Sequence, residues 1–432
     1  MNAGKIGAII GIYIVTALAW VALGEVTSLR SQDMYVRLGT GDRDEYDGST
    51  SGGRSSVQKL WGSPQVQQAP EVWTSHTEKQ ATVDDKGKKI TQEVPVNDPV
   101  VLSRSRVQAD IHSDPRRKGL MWYSTYKVKF GGQYSFKNDF PNKRTFAVRF
   151  RFPEGQAAYD NVVLLVNGDR VYPGGNLADG IKTSVELDPG KTAGVSISYG
   201  SQGLDTWHYQ FAENETVSSV RDFEAAIKTN CGDIDFPENC LSPTDKSPGD
   251  GGWDLNWKYG DLISGSDIGV SMPQRLQPGP FASRLSLFAP VSLFFFFAVL
   301  MILGTVKGVR LHPVHYLFLA ATFFSFHLLF SYLVDHVTPF NAFLISSAVS
   351  LLLTMSYLRL VVDWKFAVFQ AGVWQFVFLV LFSYAFFFEG YTGLTITIGA
   401  IVTLAVMMQL TGRVDWDKAF AKQQRPTQPT HP

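Results

Sequence analysis

Six stretches of about 20 mostly apolar residues govern what this chain can fold into, because a helix of about 20 such residues crosses the ~30 Å of hydrocarbon in a bilayer. They lie near residues 6–24, 285–306, 314–334, 340–360, 366–388 and 391–411. Only a few residues join each of the last five to the next. A water-soluble core would not set five such runs side by side without polar faces. The expected division is an anchor at 1–24, a long polar block at 25–284, a five-helix transmembrane bundle at 285–412 and a tail at 413–432.

Charge follows the same division. The 432 residues carry 39 basic and 39 acidic side chains. Nine of the basic and five of the acidic ones lie outside residues 25–284, which leaves that block at 30 against 34, a net of −4. A nucleic-acid binder would show a strongly basic domain, so that class is excluded. Lys307 and Arg310 follow the second span, Arg359 and Lys365 follow the fourth, and Arg413, Lys418, Lys422 and Arg425 follow the sixth. The alternate loops DHVTP and EGYTG hold no Lys or Arg. Basic residues mark the cytoplasmic side, so both termini are expected there and residues 25–284 outside. A cleaved signal peptide is the other reading of the first span, with Lys5 as its basic flank and Ala22-Leu23-Gly24 as a cleavage site. The 19-residue apolar run favours an uncleaved anchor.

The only two cysteines, Cys231 and Cys240, both fall in the outer block. A disulfide is expected there, since oxidising compartments favour such pairs. The rival is a metal site, for which neighbouring His and CxxC spacing are missing.

The outer block carries strand signals. In TFAVRFRF (145–152), Phe146, Val148, Phe150 and Phe152 alternate with polar or small residues, the period of a half-buried strand. Residues 120–130 alternate too, through Leu120, Trp122, Tyr126, Val128 and Phe130. Residues 161–172 read as a hairpin turning at Asn167-Gly168, which accept positive φ. Residues 182–187 and 192–199 read as a second pair, and 200–203 as a turn into a strand at 204–211. Residues 218–228 read as a short helix, from Val220, Phe223 and Ile227. Residues 39–57 and 241–252 read as loops. A sandwich-like, mainly-β domain is the expected sum.

Chemistry-bearing motifs are few. The sequence contains no GxSxG, HExxH, GxxxxGK[ST] or GxGxxG. Asp42, Asp44 and Asp47 imitate a calcium loop, but Tyr46 and Gly53 stand where ligands are needed. Asn214-Glu215-Thr216 is a sequon. His312 and His315 suit the membrane edge, by snorkelling rather than metal binding. His327 sits mid-span, where an ionisable residue is a functional hypothesis; a neutral imidazole bonded to a neighbouring helix is the plainer alternative. Trp253 and Trp257 share a strand face and suit a core or a binding surface. No cofactor or metal is expected.

Four segments, RLHPVHYLFLAATFFSFHLLFSYLVDH (310–336), SSVQKLWGSPQV (55–66), RRKGLMWYSTYKVKFGGQYSF (116–136) and GWDLNWKYGDL (252–262), in that arrangement of anchor, outer domain and bundle, resemble the CreD family of bacterial inner-membrane proteins. Ser63 before Pro64, and Leu120-Met121, depart slightly from the family pattern, and the 42–48 segment and the cysteine pair look like local additions. The resemblance implies a role in cell-envelope integrity and in the response to colicins and β-lactams, often beside a two-component regulatory pair. It implies no catalytic residue. A non-enzymatic envelope-stress factor is therefore expected, with a protein, glycan or lipid partner for its periplasmic domain. The alternatives are a transporter or lipid- and glycan-handling component using the bundle, with His327 as its polar locus, and a periplasmic glycan-acting enzyme.

Overall fold

A computed structural model describes residues 3–38, 53–83, 89–118, 121–153, 157–174, 177, 179–211, 218–309, 311–388 and 390–412. The chain divides into a helical unit, residues 1–36 and 276–432, and a β-rich unit, residues 37–275. The calcium-like segment 42–48, the sequon and the tail 413–432 fall outside the described residues.

All six expected apolar helices are present. Helix α1 (Ala3–Leu38) runs well past its apolar stretch. A short helix α2 (Gly53–Trp61) belongs to the β-rich unit. The bundle comprises α3 (Pro278–Lys307), α4 (Pro313–Leu333), α5 (Pro339–Val361), α6 (Trp364–Phe387) and α7 (Thr392–Thr411). Prolines 278, 313 and 339 open α3, α4 and α5, where a missing N–H costs nothing. Helix α6 is wound loosely, with wide π-type turns over Ala367–Gly372 and Phe376–Leu381. Aromatic side chains fill the bundle core: Phe296 lies 5.4 Å from Phe323, and Phe281 4.7 Å from Phe387, between ring centres.

The β-rich unit holds seventeen strands among the described residues. In chain order they are β1 (Gln65–Gln68), β2 (Glu71–Val83), β3 (Lys89–Pro99), β4 (Arg104–Ser113), β5 (Arg116–Lys118), β6 (Met121–Tyr123), β7 (Thr125–Lys137), β8 (Arg144–Phe150) and β9 (Tyr159–Val166). They continue with β10 (Asp169–Val171), β11 (Ile181–Leu187), β12 (Thr192–Leu204), β13 (Thr206–Gln210), β14 (Ser218–Thr229), β15 (Asp245–Gly249), β16 (Gly252–Ser264) and β17 (Ile268–Ser271). An eight-stranded sheet has the order β10-β9-β12-β7-β4-β14-β16-β15, and a four-stranded sheet the order β11-β8-β2-β3. Their inner faces share one core: Phe136 of the large sheet meets Phe146 of the small one at 5.6 Å. The architecture is thus a sandwich. Two small sheets, β1-β13-β17 and β5-β6, complete the unit.

The strand predicted over 145–152 is β8, which buries Phe146, Val148 and Phe150 and ends at Phe150, two residues short of the expectation. The 161–172 hairpin turns at Asn167 (φ 52°) and Gly168 (φ 92°). Elsewhere the structure corrects the expectation. Residues 218–228 are strand β14, in which Phe223, Ala225 and Ile227 alternate into the core. Asp222, at φ 40°, interrupts the alternation, so Val220 also reaches the core side. That break mimics helical spacing. Strands β11 and β12 form no hairpin, because the turn at Asp188–Gly190 carries the chain from the small sheet to the large one. Asn138 fastens that corner, its side-chain amide donating to the Leu187 carbonyl at 2.9 Å. Residues 200–203 continue β12, which ends before Asp205 (φ 63°). Residues 121–130 span two strands, broken at Ser124, and Leu120 lies outside the described residues. Parts of both expected loops are ordered, as α2 and as β15.

Candidate functional site

Strands β2, β4 and β14 bring their ends together at one pole of the sandwich, where the two sheets part. A cleft of about 600 Å³ opens there. Val72 and Trp73 of β2, Val100 and Leu102 before β4, Tyr209 of β13, Phe211 and Phe223 give it apolar walls. Gln68, Asn97, Ser105 and Ser219 supply neutral polar groups. Glu71 and Arg149 stand at the rim as an ion pair, Arg149 Nε donating to Glu71 Oε2 at 3.1 Å. Arg151 Nε approaches the other carboxylate oxygen at 3.4 Å. Apolar walls with a few fixed polar groups are the usual form of a binding site. Glu71 is the one carboxylate among the described lining residues, and two guanidinium groups hold it. Paired carboxylates for glycan hydrolysis are not assembled by the described residues of this cleft.

The cleft escaped the sequence because its lining comes from five separated segments. Its only sequence signal was the alternation of the strands that end there.

Cys231 and Cys240 do not form the expected disulfide in the structure; both are half-buried free thiols. Each is held by different neighbours. Cys240 Sγ lies 3.6 Å from His208 Nδ1, and its backbone is bridged to Asp267. Cys231 follows the end of β14, near Asp233. Burial pushes the Cys240 thiol up to about 11, raises that of Cys231 and lowers the His208 imidazole. The thiol–imidazole pair is thus neutral at pH 7, unlike an activated nucleophile. Trp257 belongs to the core and donates Nε1–H to the Leu241 carbonyl at 2.8 Å. Trp253 sits at the core's edge with Lys246 Nζ 4.1 Å above its ring.

Within the helical unit, His327 is fully buried, and neither ring nitrogen has a hydrogen-bond partner among the described residues. Trp20 of α1 stands edge-on to it at 5.8 Å, and Phe323 and Phe326 flank it. The expected bond to a neighbouring helix is absent because aromatic rings occupy its surroundings. Gln375, which the sequence reading passed over, is the better connected group. Its amide donates to Ser350 Oγ at 2.9 Å, and Ser350 Oγ donates to the Thr322 carbonyl at 2.6 Å, tying α6, α5 and α4 together. A lone amide inside an apolar span was the available signal. His312 caps α4, and His315 Nδ1 lies 2.8 Å from Tyr357 Oη. No group of three or more candidate metal ligands occurs among the described residues.

Residues 258–417, from within β16 through the whole bundle, match the family model described as inner membrane protein CreD. No curated protein matches the chain. Among solved structures, a Legionella pneumophila protein provisionally described as nutrient-binding is similar to 54% of this chain over 76% of its own, at 10% identity and a TM-score of 0.33.

Proposed function

We propose that the chain, whose residues 258–417 match the family model of inner membrane protein CreD, is a non-enzymatic envelope-integrity factor whose β-rich unit binds an envelope component in the periplasm. The cleft between the two sheets carries this reading. It opens where β4 and β14 begin, whereas the chain leaves the unit beside Ser124 and Asp205, near the far end of β4. Ten residues of strand put ~33 Å between those poles. A site at the pole away from the chain's exit suits capture of a partner from the aqueous side. The periplasmic placement is supported by the basic residues of alternate loops, Lys307, Arg359 and Lys365 among them. Glu71's commitment to Arg149 and Arg151 favours binding over hydrolysis.

Filling the cleft tests the proposal. Val101 and Ser219 line it and are exposed, so Val101→Trp and Ser219→Trp add bulk without entering the core. In cells that depend on this protein for survival of colicin or β-lactam challenge, either variant, at normal membrane abundance, should behave like the deletion. Undiminished survival with both variants would remove the cleft from the function.

A further inference from the structure

Two of the segments that carry the family resemblance, 55–66 and 116–136, meet in space at the pole opposite the cleft. Val57 of α2 packs with Met121, Tyr123 and Leu204 in a small separate core, and Trp61 lies against it. Gly62, at φ 92°, stops α2 and lies so close to the Gln202 carbonyl that a Cβ would meet its oxygen at 2.4 Å. Charged side chains cover this core. Arg116 stacks its guanidinium 3.4 Å from the Trp61 ring centre, and Arg275 stands 4.5 Å from that of Trp122. Lys118 bonds Ser56, and Arg54 pairs with Asp205. Lys59 and Arg117 are exposed, as is the apolar Leu60 at 70%.

The patch gathers seven cations, Arg54, Lys59, Arg116, Arg117, Lys118, Lys127 and Arg275. Its described acids are Asp114, which pairs with Arg116 and Lys127, Asp205 and, at its border, Asp235, three against seven. The surrounding block is net acidic, so the excess is local. Asp235 borders the patch, its backbone paired with that of Ser271 next to the exit segment, and Asp233 and Glu238 belong to the same stretch after β14.

The covalent chain fixes what this patch can reach. Ser124 Oγ donates to the Pro273 carbonyl at 2.8 Å, and Met272 N–H to the Asp205 carbonyl at 2.7 Å, so the exit segment is bound to the patch. Only Leu276 and Gln277 separate Arg275 from Pro278, the first residue of the membrane-crossing helix α3, so three Cα–Cα steps join the two. At 3.8 Å per residue the two Cα atoms lie within ~11 Å. Cations with interleaved Trp are the composition that favours anionic headgroups.

We propose that the α2 and β5–β6 surface binds the phosphate headgroups of anionic lipids in the leaflet from which α3 emerges. The bound lipid holds the β-rich unit by the pole at which the chain leaves it and leaves the cleft free.

The test uses the full chain in lipid nanodiscs, with hydrogen exchange followed in peptides covering 53–62 and 114–124. Discs containing phosphatidylglycerol should slow exchange there at least about threefold relative to discs of phosphatidylcholine alone, the order expected if each bound cation contributes appreciably. Exchange in β8 should not change. The Lys59→Glu/Arg117→Glu double variant should abolish the difference; the milder Lys59→Gln/Arg117→Gln pair serves if β8 exchange shows that the reversal unfolds the unit. Equal exchange in the two disc types, or a difference that survives substitution, overturns the proposal. So does protection by inorganic phosphate in phosphatidylcholine discs, which would mark a soluble-anion site.

Discussion

His327 poses the sharpest question at the scale of single residues. An ionisable group in a membrane helix invites a functional role, yet its two nitrogens face Trp20, Phe323 and Phe326 and bond nothing described. A buried polar atom without a partner costs about 1–3 kcal/mol. If His327 only fills space, His327→Phe keeps the ring and removes that cost. The variant should melt a few degrees higher in detergent and sustain full survival of envelope challenge. Loss of survival at unchanged stability would instead revive a transport role centred on the imidazole. Gln375 differs because its bonds to Ser350 reach across helices, a tie worth about 0.6–2 kcal/mol in a membrane. The sequence marks both residues as polar intruders in apolar spans. Which of them is bonded depends on the neighbouring helices, and no spacing along one helix encodes that.

At the scale of elements, period and length made most of the structure legible. Apolar runs of 20 residues gave the spans, and strict alternation gave β8 and the Asn-Gly hairpin. Failure came where a local device broke the period. Strand β14 carries Asp222 at φ 40°, a conformation its neighbours sustain because Arg104 and Arg106 clasp its carboxylate, at 2.7 Å each. The pair β11 and β12 failed for another reason: a turn sequence does not say whether the chain stays in one sheet. The β14 correction can be tested with two adjacent alanines. Ala225 is buried beside Phe223 and Ile227, whereas Ala226 lies on the other face. Ala225→Asp buries an unpaired charge and should cost about 3 kcal/mol or more, whereas Ala226→Asp should stay within about 1 kcal/mol. A helix over the same residues would bring Ala226 nearer the apolar face and turn Ala225 away, reversing the order. Thermal melts of the two variants distinguish the arrangements.

For the whole molecule the governing quantity is the side of the membrane on which the β-rich unit lies. In the proposed topology, which the inward bias of Lys and Arg favours, that unit lies outside and both ends of the chain lie inside. The chain supplies its own probe, since Cys231 and Cys240 are its only cysteines and both belong to this unit. A membrane-impermeant maleimide added to intact spheroplasts should therefore label the protein without permeabilisation. Burial raises both thiols, Cys240 to about 11, so the thiolate fraction and the labelling rate should climb about tenfold per pH unit between pH 7 and 9. The same measurement reads the redox state. Labelling without reductant means that the exported unit keeps free thiols, as in the structure. Labelling only after reductant means that the oxidising compartment joins them, which requires the 231–240 segment to shift from its contacts with His208 and Asp267. Labelling only after permeabilisation would place the unit in the cytosol, and with it would go the envelope partner and the outer-leaflet lipid.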